Sequence, residues 1–142
     1  MYKVEPFLLF DGNCGDAIPY YMELFNAKNL KMMTFGEVVD KEGAPACSKA
    51  WEGKIMFASF ELSNGSRIML SDRHENQDLI EGTDMAISLD MSSEEEMRAL
   101  FEYFAQDGWV LTPIKRMFWQ ALYGAVVDKF EKRWFLNCQL HE

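Results

Sequence analysis

Residues 8–25 recur 79 positions further along the chain in pattern rather than in letter: Asp11 falls on Asp90, Ile18 on Met97, Glu23 on Glu102 and Phe25 on Phe104. Each copy passes from an apolar strand through an aspartate into an amphipathic helix. Enough strand-like sequence follows each helix for three further strands. A repeated strand–helix–strands unit leaves few architectures open, because each copy must bury the apolar stripe of its own helix against its own sheet. The reading is therefore α+β, with residues 1–142 forming a single domain of two βαβββ modules, the first at 1–72 and the second at 83–142.

In the first copy, Val4–Phe10 is an apolar run stopped by Asp11-Gly12-Asn13, which reads as a buried strand and a turn. Ala17, Ile18, Tyr21, Leu24 and Phe25 then share one helical face. Either Asn13 or Asp16 has the chemistry of an N-cap. Pro19 favours Asp16: with Asn13 as cap the proline falls in the helix interior and removes a hydrogen bond, whereas with Asp16 it lies in the first turn, where no donor is needed. The expected helix spans 16–26. A strand over 30–35 follows, then a long connection over 36–53, then strands 55–62 and 67–70 around Asn64-Gly65, a strong two-residue hairpin signal. With that turn Phe60 pairs with Met69, and Phe57 points to the opposite face; a shift of one residue reverses this. Residues 71–82 read as a polar linker.

The second copy opens with a strand over 85–89. Ser93 and Glu96 match a capping box, and three glutamates face the positive end of the helix dipole. Met97, Leu100, Phe101 and Phe104 form the apolar stripe of a helix over 93–106, which Gly108 closes. Strand-like runs at 109–114, 121–127 and 133–138 complete the module.

Composition excludes several function classes. The formal net charge is −9, and no basic stripe interrupts it, so the phosphate neutralisation needed for nucleic-acid or anionic-membrane binding is missing. Cys14, Cys47 and Cys138 are odd in number and widely spaced, the usage of reduced thiols rather than of a disulfide framework. The N-terminal residues place a charge and a proline where a secretory apolar run would lie, and no apolar run approaches a membrane span. The expectation is a cytoplasmic protein. There is no glycine-rich dinucleotide turn, P-loop or nucleophile elbow.

Three stretches, taken in order and spacing, resemble the PhnB-like branch of the vicinal-oxygen-chelate, or glyoxalase/bleomycin-resistance/dioxygenase, superfamily. They are residues 6–14 (PFLLFDGNC), residues 68–72 (IMLSD), and Phe118-Trp119, Gly124 and Asp128-Lys129-Phe130 with Trp134. The resemblance implies two βαβββ modules whose curved mixed sheets enclose a cup, and often a homodimer. It also implies a divalent ion in the active enzymes, held by His, Glu or Gln from the first and last strand of each module.

Those four places fall here near Pro6, Met69, Asp84 and Phe135, of which Asp84 alone has a ligating side chain. Phe57 stands where PhnB-like chains tend to have a histidine, and Glu131 replaces a glycine usual in the turn after Asp128 and Phe130. Only two histidines occur. His74 lies in the polar linker with Asp72, Glu75 and Asp78, which reads as a solvated acidic loop, and His141 lies near the C-terminus. No metal and no cofactor are expected, which inclines the reading away from catalysis.

The candidate ligand-binding residues are Phe57, Met69, Trp119, Tyr123 and Phe135, with Asp84 as a polar anchor; each aromatic residue is equally consistent with core packing. The expected function is metal-independent binding of a small molecule, aromatic or cationic, by a homodimer. The bleomycin-resistance proteins set that precedent by sequestering a cationic drug. Alternatives are a divalent-metal-dependent lyase or dioxygenase-like enzyme, and an interaction module whose cup is filled by its own side chains. The methyltransferase label sometimes given to PhnB-like chains lacks a cofactor turn here.

Overall fold

The computed structural model describes residues 2–140, and His141 lies outside them. The chain divides into two compact units, Met1–Ile80 and Glu81–Glu142. Each contains a four-stranded mixed sheet packed on one long helix, so the α+β class expected from the repeat is the one observed.

The first unit runs β1 (Phe7–Phe10), α1 (Cys14–Phe25), β2 (Lys28–Thr34), α2 (Phe35–Val38), a 3₁₀ turn at Lys49–Trp51, β3 (Ile55–Glu61) and β4 (Arg67–Asp72). The sheet order is β1-β4-β3-β2, with β1 parallel to β4 and the other pairs antiparallel. Alternation of side chains across the pleat gives the sheet two faces. Phe10, Ala58, Phe60, Ile68 and Leu70 are buried towards α1 with Ala17, Ile18 and Tyr21. Phe7, Leu9, Phe57 and Met69 occupy the other face.

Helix α1 starts at Cys14, two residues before the Asp16 cap expected from sequence. Asn13 is its N-cap and makes no side-chain capping hydrogen bond. The missing acceptor comes from β4 instead: the buried Asp72 carboxylate accepts the Cys14 backbone N–H through Oδ1 at 3.0 Å and the Ile55 N–H through Oδ2 at 2.8 Å. Pro19 consequently lies inside the helix, where it leaves the Gly15 carbonyl without its i+4 donor. The polar linker also begins later than expected, since Ser71 and Asp72 are the buried end of β4.

The hairpin signal at Asn64-Gly65 is real, but its register is shifted. Ser59 pairs with Met69 and Phe60 with Ile68, and the Leu62 N–H bonds the Ser66 carbonyl. The loop is thus three residues, 63–65, with Gly65 in the left-handed region at φ +86°, the usual geometry of a three-residue hairpin. Phe57 and Met69 therefore share a face. In the 36–53 connection, Thr34 and Glu37 form a reciprocal capping box that opens the short α2.

The second unit comprises β5 (Ile87–Met91), α3 (Glu94–Asp107), β6 (Trp109–Met117), β7 (Ala121–Val127) and β8 (Arg133–Gln139), with sheet order β5-β8-β7-β6. Ser93 Oγ accepts the Glu96 N–H as the N-cap of α3. Met97, Phe104, Val126, Trp134 and Leu136 form the core, Phe104 and Trp134 stacking at 5.2 Å. Phe101 is only half-buried. Gly108 ends α3 in extended backbone rather than a left-handed turn. A glycine is required there because a Cβ would lie 2.3 Å from the Val127 carbonyl oxygen. Strand β5 starts at Ile87, where its parallel ladder with β8 begins at the Ile87–Trp134 pair. That leaves Asp84 on an exposed bend outside the strand.

The β7–β8 turn is organised by buried Asp128. Its Oδ1 accepts the N–H groups of Phe130 (2.8 Å) and Lys132 (3.0 Å), and its Oδ2 accepts Trp134 Nε1 at 2.8 Å. Glu131 completes the turn at φ +67°, taking the left-handed conformation for which glycine is better suited. Among the described residues no helix is long and apolar enough to cross a membrane.

Candidate functional site

A cavity of about 380 Å³ opens on the face of the first sheet turned away from α1. Its floor is apolar, formed by Phe7 and Leu9 of β1, Met33 of β2 and Phe57 of β3. The register explains the grouping: Phe7 lies opposite Met69 and Leu9 opposite Ser71, while Met33 lies opposite Phe57. The rings of Phe7 and Phe57 meet edge to face at 6.1 Å. Phe7 and Leu9 each remain 45% exposed, so the cavity presents apolar surface that the unit itself leaves uncovered.

One wall is the segment 73–79, read from sequence as a solvated acidic loop. Its side chains instead have separate tasks. Arg73 donates from Nε to the Asp11 carboxylate and from Nη1 to the carbonyls of His74 (3.2 Å), Glu75 (2.8 Å) and Gln77 (3.2 Å). Its guanidinium carbon lies 4.6 Å from the Trp51 ring centroid, and Trp51 Nε1 donates to the Arg73 carbonyl at 3.2 Å. The strap is thus wound around one guanidinium. Glu75 accepts both the N–H (2.7 Å) and the hydroxyl of Ser48, bonds that hold its carboxyl below the ordinary glutamate range. Cys47, beside this tie, has its thiol pushed up by burial and by the Glu52 and Glu75 charges, which disfavours a thiolate nucleophile there. The rings of His74 and Phe35 are nearly perpendicular, with centroids 5.8 Å apart. Asp78 lines the cavity and, among the described residues, makes no hydrogen bond or ion pair.

The six residues singled out from sequence are divided between the two units. Phe57 lines the cavity of the first unit. Met69 shares its sheet face but is not part of the lining. Trp119, Tyr123 and Phe135 belong to the second unit and form a row of rings with successive centroids 5.8 Å apart. Trp119 is 40% exposed at the tip of the β6–β7 hairpin, which excludes the core-packing alternative for it. Its Nε1 donates to Asn137 Oδ1 at 3.1 Å, and Asn137 Nδ2 donates to Asp90 at 3.2 Å. Asp84, the proposed anchor, lies on the bend before β5. Sequence reading missed Asp78 and Arg73 because they fell in a presumed linker. It missed Phe7 and Leu9 as lining because period-2 alternation is hard to assign in an unbroken apolar run.

The divalent ion implied by the superfamily resemblance does not fit these residues. Pro6 has no side-chain donor, Met69 offers a thioether and Phe135 a ring, while the Asp84 carboxylate lies outside the strand. Among the described residues no three His, Cys, Asp or Glu side chains are grouped to hold a metal ion. The strand-to-helix turns are Asp11-Gly12-Asn13 and Ser92-Ser93, and neither is the glycine-rich turn that a nucleotide-type cofactor uses.

Comparison with known proteins places the chain as follows. The family described as 3-demethylubiquinone-9 3-methyltransferase matches over residues 2–137. Protein YjdN of Escherichia coli (strain K12) is 30% identical over 139 residues, covering 94% of this chain and 93% of that protein. The crystal structure of protein PA1353 from Pseudomonas aeruginosa superposes with a TM-score of 0.83 at 30% identity, over 98% of both chains. A putative 3-demethylubiquinone-9 3-methyltransferase, PhnB protein, from Bacillus cereus follows with a TM-score of 0.70 at 26% identity, over 96% and 99% of the two chains. A glyoxylase/bleomycin resistance protein/dioxygenase domain from Frankia sp. EAN1pec shares the fold, with a TM-score of 0.68 at 17% identity over 99% of this chain and 94% of that one.

Proposed function

The chain belongs to the family described as 3-demethylubiquinone-9 3-methyltransferase, the PhnB-like branch of the glyoxalase/bleomycin-resistance superfamily, and we propose that it acts as a metal-independent small-molecule binding protein. The observation that carries this reading is the 380 Å³ cavity on the first sheet, whose floor of Phe7, Leu9, Met33 and Phe57 is apolar. A cavity of this size falls within the ordinary range for small-ligand sites. Burial of apolar ligand surface there supplies affinity at roughly 25 cal/mol per Å² before the costs of association are subtracted.

Methyl transfer finds less support than binding in these residues, since neither strand-to-helix turn is glycine-rich. Metal-dependent lyase or dioxygenase chemistry finds less support for a parallel reason: Pro6, Met69 and Phe135 offer no oxygen or imidazole donor.

Ligand-observed nuclear magnetic resonance with a set of small apolar aromatics tests the reading, with perturbed amides read in 15N-labelled protein. Binding that perturbs residues 7–9, 57 and 73–79, and that weakens at least tenfold in Phe57→Asp, is the expected result. Elemental analysis of protein purified without chelator tests metal independence. One divalent transition ion per chain, lost in Asp84→Ala, would overturn it.

A further inference from the structure

We propose, as a deepening that rests on the binding reading above, that the cavity of the first unit selects small molecules with an apolar body and a single cationic group, and that Asp78 on the Arg73-wound strap makes that selection. The charged side chains of the lining are Asp72, Arg73 and Asp78, and their hydrogen bonds separate them. Both oxygens of Asp72 are occupied by the backbone N–H groups of Cys14 and Ile55. Arg73 commits Nε to Asp11 and Nη1 to three carbonyls, and its flat face to Trp51. An anion approaching Nη2 would have to compete with the Asp11 carboxylate that already compensates this guanidinium. The cavity therefore contains a cation that is spent and a carboxylate that is not.

Asp78 is exposed, lines the cavity and has no partner among the described residues. The Arg73 bonds to the His74, Glu75 and Gln77 carbonyls fix the backbone up to the residue before it, so the carboxylate is presented at the rim without needing its own contacts. A ligand ammonium there gains an ion pair while its apolar body covers Phe7, Leu9 and Phe57. A ligand carboxylate meets an uncompensated like charge.

The test uses three ligands with one ring body, 1-naphthylmethylammonium, 1-naphthylmethanol and 1-naphthoate, titrated at pH 8 by calorimetry into the full chain and its variants. The expected order of affinity is ammonium, alcohol, carboxylate. Asp78→Asn should cost the ammonium about threefold to fivefold, the range of an exposed ion pair, while leaving the alcohol and the thermal unfolding midpoint unchanged. Asp16→Asn, which removes the same charge from the exposed side of α1, across the first sheet from the cavity, should leave the order and the spacing as in wild type. Equal binding of ammonium and carboxylate, or an ammonium preference that survives Asp78→Asn, overturns the proposal while the binding reading stands on the alcohol. Failure of all three ligands to bind overturns both.

Discussion

Cys14 and Asp72 are separated by 58 residues of chain, yet the backbone N–H of the first donates to the carboxylate of the second at 3.0 Å. The other oxygen of Asp72 accepts the Ile55 N–H at 2.8 Å, so one buried side chain joins the start of α1, the start of β3 and the end of β4. Asp72→Asn keeps the volume but turns an NH2 group towards one of two N–H donors. The expected loss of stability is about 2–3 kcal/mol, the size of a charge-assisted hydrogen bond together with an unsatisfied buried donor. Urea unfolding checks this; a loss below about 1 kcal/mol would show that α1 is fixed by packing alone.

Phe104 and Phe101 project from the same stripe of α3 but differ in burial. Phe104 is fully buried against Trp134, whereas Phe101 is half-buried with its ring against Gly124. Phe104→Ala should cost about 3–5 kcal/mol through transfer and cavity terms. Phe101→Ala should cost roughly 1–2 kcal/mol, in proportion to the smaller area it removes from water. Equal losses in chemical denaturation would contradict the assignment of the core.

Glu131 holds φ +67° inside a turn already tied by Asp128. Relief of left-handed strain in Glu131→Gly exceeds the extra chain entropy of glycine, so this variant should be more stable by about 0.5–1 kcal/mol. Glu131→Ala keeps the Cβ and serves as the control for charge. If alanine stabilises as much as glycine, the backbone explanation fails.

The tie between Ser48 and Glu75 sets a pH dependence in the strap. Two hydrogen bonds from Ser48 depress the Glu75 carboxyl below its ordinary value of 4.5. The folded state therefore holds the proton less tightly than the unfolded state. The stability of the tie is fully present above pH 4.5 and is lost as the pH falls through the depressed folded-state value. Protection of the Ser48 amide, taken against the intrinsic exchange rate at each pH, should fall in that acid window, and Glu75→Gln should show lower protection at neutral pH while losing the acid dependence. Exchange at Ser48 that ignores both changes would remove Glu75 from the account.

Local pattern was enough to specify the two modules. The strand–helix–strands order, the Ser93 cap and the stripe ending at Phe104 depend on residues within a few positions of one another, where periodicity and capping chemistry act directly. The sequence also located the β3–β4 hairpin, yet its register depended on whether Asn64-Gly65 closed two residues or three. That single step decided whether Phe57 and Met69 share a face. The start of α1 was not legible, because its capping acceptor is Asp72, which becomes a neighbour only when β4 lies parallel to β1. The cavity was hidden for the same reason. Asp78, Arg73 and the floor of Phe7, Leu9, Met33 and Phe57 come from four separate segments, and their meeting is fixed by strand pairing and by the bonds that wind residues 74–77 around Arg73. Sequence by itself determined that each module would be a strand, a helix and three further strands; the tertiary structure decided which carboxylates of the cavity lining were tied into the fold and which was not.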